Sequence, residues 1–422
     1  MSTDNVIRLR MGSAHNDREE ALPLPADWNA TMCPPRGGKA LTPERIRDAF
    51  AQPVGMAPIR KAAKGARHAV ILVDDFRRPT PAEALCLHII DELNAAGLDK
   101  SQLSIVLANG AHRTMTRREC RARVGSAYGR VDTVVSHDAY STDARFLGFT
   151  SATTPVLVNE VAARADFSVA ISMMYPHGLT AWSGGAKMVL PGISHVSSIR
   201  AHHCRSWAGP WGGPWAGAPG KCRARRDIEE AAALFGLDAV ACAVMNPNKE
   251  MCGLCVGHPI KAHRKAVSVA RRVGRTDVDG LAPDLVISNA YPIDADPTQL
   301  SKATLPVRSF GVPVLLVVDY ADPSPYHGTY DGPLAAYNRL PAPELRPHTD
   351  EHLMNADVFM YCPQYGDTYI PRDTKWYYDN NWEHLTAALA RRFPAANVAV
   401  FPAAPIQIPH RDARPDLNPT LR

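Results

Sequence analysis

Short apolar runs alternate along the chain with longer segments of helical periodicity. The first run, His68-Ala-Val-Ile-Leu-Val-Asp74, has the length of a buried strand. From Pro81 to Ala96 the apolar positions are spaced for one face of a helix. Thr80 followed by Pro81 suits an N-cap and first helical residue, and Gly97 suits the position just past the helix end. Ser104 to Ala108 is a second strand, ending in Asn109-Gly110-Ala111-His112. Val156 to Ala163 and Phe167 to Met173 continue the alternation, the latter as a strand running into Tyr175-Pro176-His177. Strands separated by helices predict parallel pairing.

After a helical segment over Asp227 to Gly236 the pattern restarts. Leu285–Asn289, Val314–Asp319, Asp357–Tyr361 and Asn397–Phe401 each read as a buried strand. The expectation is therefore an α/β protein of two domains, residues 1–278 and 279–422, with mostly parallel sheets and a site in the cleft between them. Trp207 to Gly220, rich in Gly, Pro and Trp, reads as a loop that is either a lid or a packed surface turn. The tail from Pro402, with several prolines, is expected to be extended on the surface.

Composition narrows the class. The chain has 422 residues with 45% hydrophobic and 21% charged positions, which places it among folded globular proteins. A formal charge of +5 with scattered basic residues gives nucleic-acid binding little support. The densest basic run, Lys221 to Arg226, is expected to be a solvated loop. Met1 to Glu20 is polar and lacks the apolar stretch of a secretion signal, and no long apolar run offers a membrane span, so a soluble cytoplasmic protein is expected. Nine cysteines, an odd number, fit reduced thiols better than a disulfide framework.

Parallel sheets place ligands beyond the carboxyl ends of their strands, where the polar clusters fall. Asp74-Asp-Phe-Arg-Arg-Pro-Thr-Pro81 sets two acids and two arginines before a helix N-terminus, a setting for a phosphate or carboxylate and equally for an ordinary capped turn. His112 and His177 follow different strands in what read as exposed loops, and each titrates where a general acid or base must. Trp182-Ser-Gly-Gly-Ala-Lys187 pairs glycines with a lysine but lacks P-loop spacing, which leaves a covalent anchor as one reading. His202 and His203 are candidate metal ligands. Cys252-Gly-Leu-Cys255 is a redox pair, half a zinc site, or incidental thiols in a hairpin, the reading we favour. Gln299 and Lys302 fall on one face of a helical turn and suit a substrate carboxylate.

In this order the pieces resemble the lactate racemase family of nickel-pincer enzymes over roughly residues 20–310. The resemblance rests on Asp-Asp-Phe-Arg-Arg-Pro-Thr-Pro, Asn-Gly-Ala-His-Arg, His177 ten residues before Lys187, Ser-Gly-Gly-Ala-Lys, His203, Gly257-His-Pro-Ile-Lys-Ala-His-Arg and Gln-Leu-Ser-Lys302. It implies an isomerase acting on a small 2-hydroxy acid, with a nickel-bearing pyridinium mononucleotide joined covalently to Lys187 and supplied by cofactor-maturation proteins. It further implies that His203 completes the nickel coordination and that His112 and His177 are the acid/base pair. Asp75 and Arg78 would lie by cofactor and substrate. Thr80, Ser183, Gly184 and Gly185 would line the cofactor, and Gln299 and Lys302 would hold the substrate. Domain 1–278 would carry catalysis and cofactor, and 279–422 the substrate side.

Two stretches depart from the family pattern: the tryptophan-rich Trp207–Gly220 loop, and Asp367–Trp382, which lacks an expected Gly-Gly-His-Lys segment. Lactate, malate, an aromatic or branched hydroxy acid and a sugar acid stay open as substrates. Two other functions stay open beside the racemase: a zinc hydrolase using His177, His203 and Asp75, and a non-catalytic binder of hydroxy acids.

Overall fold

The computed structural model describes residues 5–205, 207, 215–295, 300–320, 358–364 and 376–411. Its described residues divide into two compact units: Lys39–Ala270, and the stretch up to Gly38 joined with the chain from Arg271 onward. A single cut at 278/279 does not reproduce this division, because the N-terminal residues pair with strands from the far end of the chain.

In unit Lys39–Ala270 six strands lie in the spatial order Met251–Gly257, Ala239–Met245, Phe167–Met173, Ala69–Val73, Leu103–Leu107, Thr133–Ser136. All neighbours are parallel except the hairpin of the first two. Every residue of Ala69–Val73, Phe167–Met173 and Ala239–Met245 is buried, as expected for strands covered on both faces. The helix Ala82–Ala95 crosses from Ala69–Val73 to Leu103–Leu107. It starts one residue later than the sequence suggests: Pro81 is the cap, and the Thr80 hydroxyl donates instead to Asp74 Oδ2 at 2.6 Å. Gly97 follows the helix with φ +104°, a conformation that favours glycine.

The basic run also departs from expectation. Arg223–Phe235 is one helix, and Arg225 on its first turn is wholly buried rather than solvated. Buried Ala224, Ile228, Ala231 and Ala232 give this helix its inward face, and Arg225 is in phase with it.

The second unit has a six-stranded, all-parallel sheet in the order Trp376–Asp379, Val358–Tyr361, Val314–Val317, Leu285–Asn289, Asn397–Phe401, Asn29–Met32. Leu285 and Ile287 face one apolar cluster, and Val286 the other. The first cluster includes Ile7, Leu9 and Met11 from a hairpin, Val6–Met11 with Arg18–Pro23. Their strict alternation with polar residues is the strand signal in a segment notable in the sequence only for its polarity.

The residues after Pro402 are not a surface tail as far as residue 411. Ala404, Pro405 and Ile406 are buried, and Ile408–His410 pairs in parallel with Arg275–Asp277. Gln407 explains this course. Its wholly buried amide accepts from Ala403 N at 2.8 Å and donates to Cys33 O at 2.7 Å and Thr276 Oγ1 at 2.9 Å. Truncation strands those partners away from water, so Gln407→Ala should destabilise this unit by about 1–3 kcal/mol, read from its urea midpoint. A variant within error of the parent would refute this account of the tail.

Candidate functional site

Three neighbouring strands of the Lys39–Ala270 unit deliver their loops to one edge. Ala69–Val73 lies between Phe167–Met173 and Leu103–Leu107, so its loop, Asp74 to Thr80, is flanked by the loops that carry His177 and His112. Asp74 ties the edge together. Its carboxylate takes the Thr80 hydroxyl, the Met173 N–H at 3.1 Å and an Arg123 N–H, while Arg123 also donates to the carbonyls of Asp74 and Thr80 at 2.9 Å.

Asp75 is buried and reaches across to His112, whose Nδ1 lies 2.8 Å from Asp75 Oδ2. Arg77 donates to the same carboxylate from its backbone N–H and its guanidinium, each at 3.2 Å. Burial pushes this carboxyl up, but the His112 hydrogen bond and the charges of His112, Arg77 and Arg78 outweigh it and hold Asp75 well below the usual carboxylate range. An ionised carboxylate accepts only, so His112 donates its Nδ1 hydrogen to Asp75. The Arg78 guanidinium sits over the Tyr175 ring, 5.4 Å from its centroid, joining the first loop to the one that carries His177.

The loop bearing His112 is set by Asn109, whose side-chain N–H₂ donates to His137 O at 2.8 Å. His137 is itself buried, with Nε2 bonded to Ser194 O at 2.9 Å. His177 opens a tight hairpin, Pro176–His177 with Ala181–Trp182. Its Nδ1 accepts from the N–H groups of Leu179 at 3.2 Å and Thr180 at 3.4 Å. Ala181 pays for the turn with φ +61°, unusual for a residue with a Cβ. Both histidines are half-buried rather than exposed.

Lys187 lies on the short 3-10 turn Gly185–Met188, after two glycines with φ +72° and +61°. A Cβ on Gly184 would stand 2.7 Å from Met174 Sδ and 2.8 Å from Ser172 Oγ, so the backbone packs where no side chain fits. Each carbonyl from Trp182 to Gly184 meets a buried donor. Arg225 donates to Trp182 O at 3.3 Å and Gly184 O at 3.0 Å, and His263 Nε2 lies 2.9 Å from Ser183 O. Glu229 accepts from Arg225 and Arg264, closing the cluster. Burial, with the charges of Arg225 and Arg264, pushes the His263 pKa well below its ordinary value, so the neutral ring donates from Nε2. The hydroxyl of Ser183 accepts from Tyr175 N and donates to Met173 O, both at 2.7 Å, and so shapes this loop.

His203 ends the helix Val196–His203, with Nδ1 3.0 Å from its own Ile199 O. Lys302 is buried on the helix Leu300–Thr304 of the other unit, and Gln299 lies outside the described residues. So does half of the tryptophan-rich loop, residues 208–214, although Trp207 is buried and donates to His202 O at 2.7 Å. Cys252 and Cys255 sit on the hairpin strand Met251–Gly257, and all nine cysteines are free thiols. No three or more His, Cys, Asp or Glu side chains form a metal-holding group among the described residues, so the zinc hydrolase set of His177, His203 and Asp75 is not assembled there. Among the described residues no helix is long and apolar enough to cross a membrane.

The class defined by this architecture is a mostly parallel α/β protein, with its candidate residues gathered at strand ends and glycine turns. Comparison with known proteins finds a likeness over part of the chain: residues 15–211 match the lactate racemase N-terminal domain. The chain is 27% identical over 252 residues to a lactate racemase of Thermoanaerobacterium thermosaccharolyticum, covering 59% of this chain and 58% of that protein. It is 25% identical over 267 residues to one of Lactiplantibacillus plantarum, covering 61% of each. The matches thus span about three-fifths of the curated relatives' length. The lactate racemase apoprotein of T. thermosaccharolyticum shares the fold at a TM-score of 0.76 and 22% identity, over 96% of this chain and 100% of that one. A Thermotoga maritima protein shares it at 0.64 and 16%, over 89% and 100%. These findings support the resemblance to the lactate racemase family that the motifs carry.

His137 supplies a test of the frame behind His112. Burial, opposed by the Ser194 carbonyl and Asp138, pushes its pKa down to about 4, so the folded protein holds it neutral while the unfolded chain protonates near the ordinary value. Stability from this group is complete above about pH 6.5 and is lost as pH falls toward 4, by roughly 3 kcal/mol at about 1.4 kcal/mol per tenfold change in proton affinity. Denaturant titrations of the parent and of His137→Asn should therefore diverge in slope across that window; parallel curves would contradict a neutral buried ring.

Proposed function

We propose that the chain is a cytoplasmic racemase or epimerase that inverts C2 of a small 2-hydroxy acid, with a nickel-pincer nucleotide attached at Lys187 by cofactor-maturation proteins. The observation that carries this reading is the buried, ionised Asp75 against Nδ1 of His112, at the edge where the Lys187 turn is braced. The relatives' names supply the reaction type, and nine free thiols agree with a reducing compartment.

The residues present fit such a group. Lys187 follows directly on two glycines in the left-handed region, and the Nδ1 contact of His203 with its own helix leaves Nε2 as the nitrogen suited to a metal. When bound, the cofactor would accept and return hydride at C2, which a histidine cannot remove as a proton. The protein's own task is the hydroxyl. His112 Nε2 takes its proton, and the charge arriving on the ring is stabilised by Asp75. His177, with Nδ1 held by backbone N–H groups, exchanges a proton through Nε2 with the enantiomer whose hydroxyl points the other way. Arg78, steadied over Tyr175, is a cation for the carboxylate. Lys302 and Gln299 are kept as substrate-binding positions on the matched motif alone, and the substrate's side chain is left open.

In a host that makes the cofactor, the peptide containing Lys187 should carry added mass; an unmodified lysine in fully active enzyme would defeat the attachment. His112→Ala should lower turnover of an enantiopure hydroxy acid by about 10²- to 10⁴-fold, and so should His177→Ala. Retained inversion in either would remove the two-base scheme, and binding of hydroxy acid without α-hydrogen exchange in the parent would make the chain a binder.

A further inference from the structure

The Cys252-Gly-Leu-Cys255 motif has no part in the proposed reaction, and its two cysteines are not placed to bond with each other. Three residues of extended strand separate their Cα atoms by about 10 Å, beyond the roughly 4.4–6.8 Å that a disulfide spans. Cys252 is also passed over in the register, where Val244 faces Gly253 and Met245 faces Met251, and its thiol donates to Val244 O at 3.4 Å.

Cys255 has a different neighbour. In the antiparallel ladder it stands directly opposite Cys242 of Ala239–Met245. Opposed residues of such a ladder point their side chains to one face, with Cα atoms about 4.5–5.5 Å apart, inside the disulfide range. Both thiols are free, and both are buried. The row continues inward: Cys242 is level with Ser172 on the parallel strand Phe167–Met173, and the Ser172 hydroxyl accepts the Gly185 N–H at 3.0 Å. Cys255, Cys242 and Ser172 thus form one line across three strands that ends at the glycine turn before Lys187.

Burial pushes both thiols up, Cys242 to about 12, so neither is ionised at neutral pH and the pair reacts slowly. The charge of Lys265 opposes the rise at Cys255, which also lies on the outermost strand of its sheet. Cys255 is therefore the member that an oxidant reaches first.

We propose that Cys242 and Cys255 are a cross-strand dithiol that a peroxide converts to a disulfide, and that the change is felt at Gly185 through Ser172. The Cys255 sulfur attacks a peroxide oxygen, the O–O bond breaks, and Cys255 becomes a sulfenic acid as one water leaves. The Cys242 sulfur then attacks the Cys255 sulfur, and the expelled hydroxyl leaves with the Cys242 proton as a second water. Each sulfur gives up one electron, and the two electrons reduce hydrogen peroxide to water. A thiol reductant reverses the change by exchange. Closing the bond draws Cys242 toward the outermost strand and away from Ser172. The pairing is a property of the sheet and holds whether or not Lys187 carries a cofactor.

The full-length protein is treated with hydrogen peroxide, quenched in acid, unfolded, alkylated and digested, with the exposed Cys204 as a gauge of dose. The peptides of Cys242 and Cys255 should lose most of their alkylation together and reappear joined by a bond that dithiothreitol cleaves, while Cys252 keeps its label. Peroxide that modifies Cys204 yet leaves Cys242 and Cys255 open to alkylation overturns the proposal, and so does a bond from Cys255 to Cys252. Cys255→Ala should return Cys242 to full alkylation, and a Cys242 still lost in that variant overturns the pairing. Should the variant not fold, the joined peptide of the parent decides alone. In nitrogen-15 spectra the Gly185 amide resonance should shift on oxidation and return with dithiothreitol; a resonance that stays in place overturns the coupling to the turn. Neither readout uses turnover of a hydroxy acid, so an inactive parent counts against the proposed reaction alone.

Discussion

A carboxylate held ionised where water does not reach it organises the candidate site. Asp75 loses hydration on burial and regains it as hydrogen bonds and charge from Arg77, Arg78 and His112. These groups come from the ends of two adjacent strands, so the contact that keeps Asp75 charged also fixes one loop against the other. Asp74, one residue earlier, does the same toward the third strand by accepting the Met173 N–H. Successive side chains of an extended backbone point opposite ways, and here two neighbouring acids brace two neighbouring loops.

The glycine turn before Lys187 is held by a different device. Its carbonyls are gathered by Arg225 and His263, from helices beneath it, and Glu229 balances the cations. The N-terminal end of the Arg223–Phe235 helix therefore supports two features at once, with Arg225 under the glycine turn and Asp227 behind His202. A run of basic residues is thus part of the interior, because one arginine in it is in phase with the helix's apolar stripe.

Much of this was legible in the sequence, for physical reasons that differ by element. The strands of the Lys39–Ala270 sheet were readable because burial on both faces leaves unbroken apolar runs, and the loops after them because parallel strands put polar residues at one end. The hairpin of Ile7, Leu9 and Met11 was missed because its signal is an alternation diluted by charged residues, and its partner strands lie hundreds of residues later. Thr80 has cap chemistry, but Asp74 competes for its hydroxyl, and only tertiary structure settles that competition. Arg225, Asp227 and His263 were absent from the candidate residues, the first two because charge alone reads as solvent exposure. Helical phase was the signal that could have found the first two: Arg225 is three residues before Ile228, and Asp227 four before Ala231.

The pairing of Asn29–Met32 with Asn397–Phe401 has a consequence for how the chain is made. An edge strand of the second unit is synthesised before the Lys39–Ala270 unit, and its partner strand after it. The Lys39–Ala270 unit holds its sheet partners within itself and can fold while the remainder is still emerging. Closing the long loop from Asn29 to Asn397 afterwards costs little more than closing one half as long, since the entropy grows only with the logarithm of length. Until then the apolar side of the hairpin of Ile7, Leu9 and Met11 has no core to cover.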